Sequence, residues 1–110
     1  MTSVFERIIK KELSARIFFE DDNVIVIADH YPREAVHLLI IPKIVTRNFY
    51  ETPGEILTML NDYVKLVAEK LGISDHFRVI INNGYRQEID HLHYHFLSNR
   101  GAENLKYIET

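Results

Sequence analysis

The chain has 110 residues, of which 46% are hydrophobic and 26% charged, and its formal net charge is −3. This length suits one ordinary domain, and the composition is typical of a soluble globular protein rather than a disordered one. The mild negative charge argues against a nucleic-acid-binding surface, and the lack of cysteine in the sequence excludes disulfides, cysteine zinc sites and thiol nucleophiles.

The first part of the chain predicts a short helix and then three strands. Ser3 and Glu6 have the spacing of a capping box at the start of a helix over residues 3–13. Two strands are predicted over 16–19 and 24–28, with a turn between them, and a central strand over 36–41 that ends at Pro42. We find no apolar stretch that predicts a signal peptide or a membrane span, so we expect a cytoplasmic protein.

The second part predicts a long helix and two further strands. Thr52 is expected to cap a helix whose apolar positions repeat as far as Leu71, where Gly72 would end it. Strands are predicted over 77–82 and 90–97. The order α-β-β-β-α-β-β indicates an α+β fold over residues 1–110 as a single domain, with a mainly antiparallel five-stranded sheet, one long helix and one short one.

Three of the six histidines fall within the last predicted strand, as His91, His93 and His95. Alternate side chains of a strand point to the same face, so the three imidazoles would form a row about 6.6 Å apart, with apolar residues on the opposite face. The row could be a solvated strand face. It could hold a metal, or it could perform acid–base and nucleophilic catalysis.

The surroundings of the row favour catalysis among these three interpretations. The outer two histidines would lie about 13 Å apart, so one ion could use only two of the three. Its other ligands would have to come from carboxylates or from the remaining histidines, His30, His37 and His76. In contrast, the segments 82–84 and 87–90 supply amide and backbone donors of the kind that a phosphate-sized anion requires.

The segment from His91 to Leu97 has the pattern His-φ-His-φ-His-φ-φ, where φ is apolar. With the run His-Leu-Leu-Ile-Ile-Pro-Lys at 37–43, it resembles the nucleotide-binding branch of the histidine triad (HIT) superfamily. The resemblance covers nearly the whole chain, from Val4 to about Arg100. It implies a homodimeric purine nucleoside phosphoramidase that requires no metal and no other cofactor.

The resemblance also implies a role for each matching position. His93 would attack the α-phosphorus and form a nucleotidyl-histidine. His95 would contact the phosphate and help to protonate the leaving amine, while His91 and His37 would form a supporting hydrogen-bonded pair. The nucleotide-binding residues would be Asn82 and Gln87 on the phosphate, Asp29 on the ribose, and Phe5, Ile8, Ile27 and Leu39 around the base.

Several positions depart from the pattern of that branch. Glu88 stands where a phosphate-contacting serine is frequent, Asp90 replaces a usual tyrosine, and the loop from Gly84 to His91 is two residues shorter. Two other functions therefore stay open: a nucleotide-binding module with little turnover, and a dinucleoside polyphosphate hydrolase. For partners, we expect a purine nucleotide and a second copy docked through residues 57–71 and 77–82, with no nucleic acid and no membrane.

Overall fold

A computed structural model describes residues 2–109, whose strands form an antiparallel six-stranded sheet in the order β4-β5-β3-β2-β1-β6. Met1 and Thr110, the ends of the predicted single domain, lie outside the described residues. In chain order the elements are α1 (Val4–Ile9), β1 (Arg16–Glu20), β2 (Val24–Ala28), β3 (Val36–Pro42), α2 (Gly54–Leu71), β4 (Arg78–Ile80), β5 (Tyr94–Ser98), a short 3-10 helix (Ala102–Asn104) and β6 (Ile108–Glu109).

Strand alternation divides the core into two apolar clusters, one on each face of the sheet. Val24 and Val26 of β2 join the cluster on the face that α2 covers, whereas Ile25 and Ile27 join the cluster that contains Phe5 of α1. Strand β3 is buried along its whole length because it has packed residues on both faces. Side chains on the α1 face of the sheet therefore pack against the apolar cluster around Phe5.

The predicted helices are present, with two corrections at their ends. The capping box of Ser3 and Glu6 is confirmed, but α1 ends at Ile9 and Lys11 adopts a left-handed conformation with φ of 64°. The predicted cap at Thr52 is wrong, since α2 begins after Pro53 without a side-chain cap. The Thr52 hydroxyl is turned into the preceding loop, where it donates to the carbonyl of Asn48 at 2.6 Å. Gly72 ends α2 in the left-handed conformation, as expected.

The five predicted strands are all present, but the last two are shorter than predicted. β4 covers only Arg78–Ile80, and β5 begins at Tyr94 rather than at residue 90. Residues 91–93 lie outside the ladder between β3 and β5, whose last pair is Ile40 with Tyr94; the amide of Leu92 donates instead to the carbonyl of Thr46 at 2.8 Å. The two-residue strand β6, which pairs with β1, was not predicted.

Within the described part of the chain, no helix is long and apolar enough to cross a membrane. The cytoplasmic location stays a prediction.

Candidate functional site

Two of the histidines meet because β3 and β5 are antiparallel neighbours. His37 lies opposite Leu97 and His95 lies opposite Leu39, so the two histidines are diagonal neighbours on one face of the sheet. Their rings are hydrogen-bonded, with His37 Nε2 and His95 Nδ1 2.9 Å apart. The face is the one that α1 covers, because Leu39 belongs to the apolar cluster around Phe5.

The other two histidines of the motif lie directly before β5. The His91 side chain is fully buried, and its Nε2 donates to the carbonyl of Pro42 at 2.8 Å. His93 Nδ1 donates to the carbonyl of His91 at 2.8 Å, and the His93 ring centroid is 5.1 Å from that of His95. The row of three imidazoles on one face is thus realised, although only His95 belongs to the strand.

The predicted pairing of His91 with His37 is wrong. His37 pairs with His95, and His91 is occupied by the Pro42 carbonyl on the other side of His93. The reason is the sheet register, which brings β3 residue 37 beside the β5 residues at 95 and 97. The pairing could not be read from the sequence because the motif spacing does not define the register between two distant strands.

The hydrogen bonds determine where each ring carries its proton in the neutral state. A carbonyl oxygen only accepts, so the proton of His93 is on Nδ1 and its Nε2 has a free lone pair. The backbone amide of Arg33 donates to His37 Nδ1 at 3.1 Å, which places the proton of His37 on Nε2. That proton is donated to His95 Nδ1, so His95 carries its own proton on Nε2.

Burial keeps these rings uncharged at neutral pH. It lowers the pKa of His93 from 6.5, against the opposing effect of the hydrogen bond to the His91 carbonyl. Burial lowers the pKa of His95 to about 4, and the guanidinium of Arg33 acts in the same direction, as does a proton on His93 or His37. The pKa of His37 is lowered chiefly by burial as well. A neutral His93 with a free Nε2 is the form of imidazole that can act as a nucleophile.

Asp29 follows β2 and brings a carboxylate to the histidine pair. Its Oδ2 lies 3.3 Å from His37 Nε2 and 4.0 Å from His95 Nδ1, while its Oδ1 accepts from the backbone amide of Tyr31 at 2.7 Å. The negative charge of Asp29 acts to raise the pKa of all three rings at the site, although burial outweighs it. The carboxylate is therefore held beside the site by the backbone of its own loop.

Asp29, His37 and His95 also form a group whose potential ligand atoms lie within 4.8 Å of one another. A metal at His37 Nε2 would require that nitrogen to be deprotonated. The amide of Arg33 already occupies Nδ1, so the neutral ring keeps its proton on Nε2. These donors suit proton transfer better than they suit a cation.

The four residues predicted to surround a base lie together, in the apolar cluster on the α1 face of the sheet: Phe5, Ile8, Ile27 and Leu39. Phe5 connects this cluster to the histidines, since its ring lies edge-on to His93 with centroids 5.0 Å apart. The same ring contacts His91, with centroids 6.0 Å apart. The buried apolar cluster and the imidazole of His93 are thus adjacent.

The two predicted phosphate-contacting amides, Asn82 and Gln87, lie in the loop between β4 and β5. The Gln87 amide is occupied by backbone groups: its Nε2 donates to the carbonyls of Arg47 and Ile89, and its Oε1 accepts from the amide of Gly84. Asn82 is half-buried, and its amide has no hydrogen bond within residues 2–109. Of these two amides, only that of Asn82 has free donors within residues 2–109.

Three contributors to the site were missed by the sequence analysis. They are the amide of Arg33, the carbonyl of Pro42 and the carbonyl of His91, which together orient the rings of His37, His91 and His93. Every residue type carries such backbone groups, so no pattern of side chains could have indicated them.

Residues 10–102 match the HIT domain family. The chain is 35% identical over 105 residues to the adenylylsulfatase HINT1 of Arabidopsis thaliana, and the match covers 89% of this chain and 71% of that protein. The solved structure of a HIT family hydrolase from Clostridium thermocellum is 42% identical to this chain and has a TM-score of 0.82. The match covers 88% of this chain and 90% of that chain. A histidine triad nucleotide-binding protein from Candida albicans has a TM-score of 0.79 at 27% identity, with 86% of this chain and 73% of that chain covered.

Proposed function

The chain belongs to the HIT domain family, and from this premise we propose that it is a hydrolase that binds purine nucleotides and cleaves nucleoside 5′-phosphoramidates. Residues 1–110 would form one HIT domain, without a metal or another cofactor. The observation that carries the proposal is the proton arrangement of the rings: His93 has a free Nε2 lone pair, and the adjacent His95 presents an N–H.

In the first step, His93 Nε2 attacks the α-phosphorus and the P–N bond breaks. The phosphorylated ring is cationic, and its Nδ1–H continues to donate to the His91 carbonyl, which stabilises that charge. The leaving amine takes a proton from His95 Nε2, so His95 must first be an imidazolium. In that form His95 Nδ1 no longer accepts from His37, and the Nε2–H of His37 would donate to Asp29 Oδ2, which lies 3.3 Å away. A bound phosphate anion, with Asp29 at 4.0 Å, raises the pKa of His95 above its value of about 4 in the free protein.

In the second step, a water molecule attacks the phosphorus and the P–N bond to His93 breaks. His95, now neutral, accepts the proton of the water and returns to its imidazolium form, while the nucleoside monophosphate leaves. Two displacements at phosphorus, through an intermediate whose imidazolium is a good leaving group, replace one difficult hydrolysis. His95 would therefore act as the acid in the first step and as the base in the second, while His93 would supply the attacking lone pair.

The remaining residues would bind the nucleoside. The cluster of Phe5, Ile8, Ile27 and Leu39 would receive the purine, and the free amide of Asn82 would contact a phosphate oxygen. Asp29 Oδ2 is directed at the histidine pair, and in the complex this carboxylate would accept from the ribose hydroxyls. We assign Gln87 to positioning the loop, since backbone groups already use its amide.

A covalent adduct on His93 is the direct test of this proposal. We expect His95→Asn, incubated with the p-nitrophenyl ester of AMP, to gain the mass of one adenylyl group. Nitrophenolate leaves without a proton, so the first step stays fast, whereas the second step lacks its base and the intermediate accumulates. Intact-protein mass spectrometry at neutral pH measures the adduct, since acid would hydrolyse the P–N bond.

The double variant His93→Ala/His95→Asn is the matched control and should gain no mass. An adduct that persists in the double variant would contradict the assignment of His93 as the nucleophile. If nucleotides bind but neither variant nor the unmodified protein gains mass or releases nitrophenolate, the chain is a binding module instead.

We also propose that the functional unit is a homodimer joined through α2 and the edge of the sheet. β4 is an edge strand, so one side of it has no partner strand within residues 2–109. Several large apolar residues of α2 are only half-buried: Ile56, Leu57, Met59, Val64 and Leu66. Val79 of β4 and the apolar residues Ile56, Leu57, Met59 and Val64 of α2 pack against the same core cluster. An unpaired strand edge and a partly exposed apolar helix are surfaces that a second copy can cover.

Sedimentation equilibrium at micromolar concentration is expected to give twice the chain mass. Replacing Val79 of β4 by proline removes a backbone donor from the strand and should shift the protein towards monomer. A purely monomeric unmodified protein at that concentration would exclude the dimer. This experiment tests the dimer alone, and the assay for phosphoramidase activity tests the chemistry separately.

A further inference from the structure

The ring of His37 is fixed as a hydrogen-bond donor towards His95. The backbone amide of Arg33 donates to His37 Nδ1 at 3.1 Å, so the neutral ring carries its proton on Nε2. That nitrogen lies 2.9 Å from His95 Nδ1. If the ring of His37 changed tautomer, its Nδ1–H would face the N–H of Arg33 instead. The side of His95 next to His37 is therefore suited to a lone pair and not to an N–H.

Protonation of His95 reverses the fit between these two rings. An imidazolium carries a proton on both nitrogens, so the Nδ1–H of His95 and the Nε2–H of His37 would face each other across 2.9 Å. Two facing donors form no hydrogen bond, and an N–H left without an acceptor is costly away from water. The His37 side chain is 1% exposed and that of His95 is 12% exposed, so water gives little relief. The acid form of His95 therefore requires an acceptor other than His37.

Asp29 can supply that acceptor to both rings. Its Oδ2 lies 3.3 Å from His37 Nε2 and 4.0 Å from His95 Nδ1, so a small movement brings either N–H within hydrogen-bonding distance. Its carboxylate acts to raise the pKa of His95, whereas the guanidinium of Arg33 acts to lower it. The amide of Tyr31 holds Asp29 Oδ1 at 2.7 Å, which fixes the carboxylate beside the pair.

This role is compatible with a contact to the ribose. A carboxylate offers about four acceptor positions, two on each oxygen. The two rings would use those on Asp29 Oδ2, and the amide of Tyr31 uses one of those on Oδ1. Acceptor capacity is thus left on Oδ1 for a ribose hydroxyl. Sugar binding and proton transfer can use the same carboxylate at the same time.

Resting on the proposed function, we propose that Asp29 is also a positioning residue that allows His95 to hold a second proton. In the first step, His95 gives its Nε2 proton to the leaving amine as the P–N bond breaks. In the second step, His95 takes a proton from water at the same nitrogen. The His37 N–H donates to Asp29 Oδ2 while His95 holds two protons, and to His95 Nδ1 while it holds one. Loss of the carboxylate should slow both proton transfers and leave the attack by His93 unchanged.

Asp29→Asn tests this proposal, because it removes the charge and retains an oxygen for the amide of Tyr31. With saturating p-nitrophenyl ester of AMP, we expect a burst of one nitrophenolate per chain at the unmodified rate, since nitrophenolate leaves without a proton. The adenylyl adduct should then accumulate, as in His95→Asn, and intact-protein mass spectrometry measures it. With an adenosine phosphoramidate, kcat should fall by about 10²-fold, the scale of general acid–base catalysis.

Two controls separate proton transfer from ribose binding. Asp62→Asn makes the same change at an exposed position of α2 and should behave as the unmodified protein. A 2′,3′-dideoxyadenosine phosphoramidate lacks the ribose hydroxyls but leaves Asp29 in place, so the unmodified protein should show a higher KM with kcat retained.

The kinetic constants of Asp29→Asn decide the outcome. A higher KM with kcat unchanged for both the ester and the phosphoramidate would leave ribose binding as the single role of Asp29 and would overturn the proposal. Loss of the burst in a variant that still binds AMP would overturn it as well, because the carboxylate would then act on the attack. If the unmodified protein neither forms an adduct nor cleaves the phosphoramidate, the proposed function fails instead, so the two failures are distinguishable.

Discussion

Replacement of His93 by alanine is expected to lower kcat/KM for an adenosine phosphoramidate by at least about 10³-fold, the scale that follows removal of a nucleophile. The structure gives the reason: His93 Nε2 is the free lone pair, because Nδ1 donates to the His91 carbonyl. The measurement is release of AMP by purified protein, with nucleotide binding followed separately by calorimetry.

His76→Ala is the control for the loss of an imidazole. The His76 ring is hydrogen-bonded to the Asn99 side chain at 2.7 Å and takes no part in the site, so this variant should retain full activity. Equal rates for His93→Ala and the unmodified protein would refute the nucleophilic role. The two variants and the unmodified protein should unfold at similar temperatures, which would show that the loss of activity is not caused by unfolding.

The second large effect expected is a loss of stability in acid between pH 6.5 and about pH 4. The pKa of His95 is lowered from 6.5 to about 4 in the folded protein, so in this range the unfolded chain binds a proton that the folded protein does not. Stability therefore falls as the pH decreases through this window and is constant above it. The shift of His95 corresponds to about 3 kcal/mol, and the lowered pKa of His93 acts in the same direction.

Urea denaturation at several pH values across this window measures the effect. His95→Asn removes the titrating group and should flatten the dependence on pH, although it leaves the contribution of His93. A free energy of unfolding that is equal at both ends of the window would contradict the neutral, buried state of these rings.

The acid limb of the kcat/KM profile should likewise lie below pH 6.5, because His93 must be unprotonated to react.

The sequence by itself determined the two faces of the sheet. Alternation of apolar residues in β2 and β3 separates Val24 and Val26 from Ile25 and Ile27, and the structure places them in different clusters. The same alternation predicted that His91, His93 and His95 share a face. A side chain's direction in an extended segment depends only on its position in the chain, so these inferences needed no tertiary contact.

Local signals were less reliable where a distant segment competed for the same groups. The capping box at Ser3 formed because both of its partners lie within one turn. Thr52 has an equally suitable sequence, but its hydroxyl bonds to Thr46 and Asn48 in the preceding loop. Gln87 is a further case, since the carbonyl of Arg47 occupies an amide that the sequence analysis assigned to a phosphate.

Only the tertiary structure decided which histidine partners which, and where the protons lie. The pairing of His37 with His95 follows from the register between β3 and β5, two strands that are far apart in the sequence. The tautomers follow from the amide of Arg33 and the carbonyl of His91, which are backbone groups without a signature in the residue type. Composition and spacing could identify the imidazoles, but their chemical roles depend on hydrogen bonds that exist only once the chain has folded.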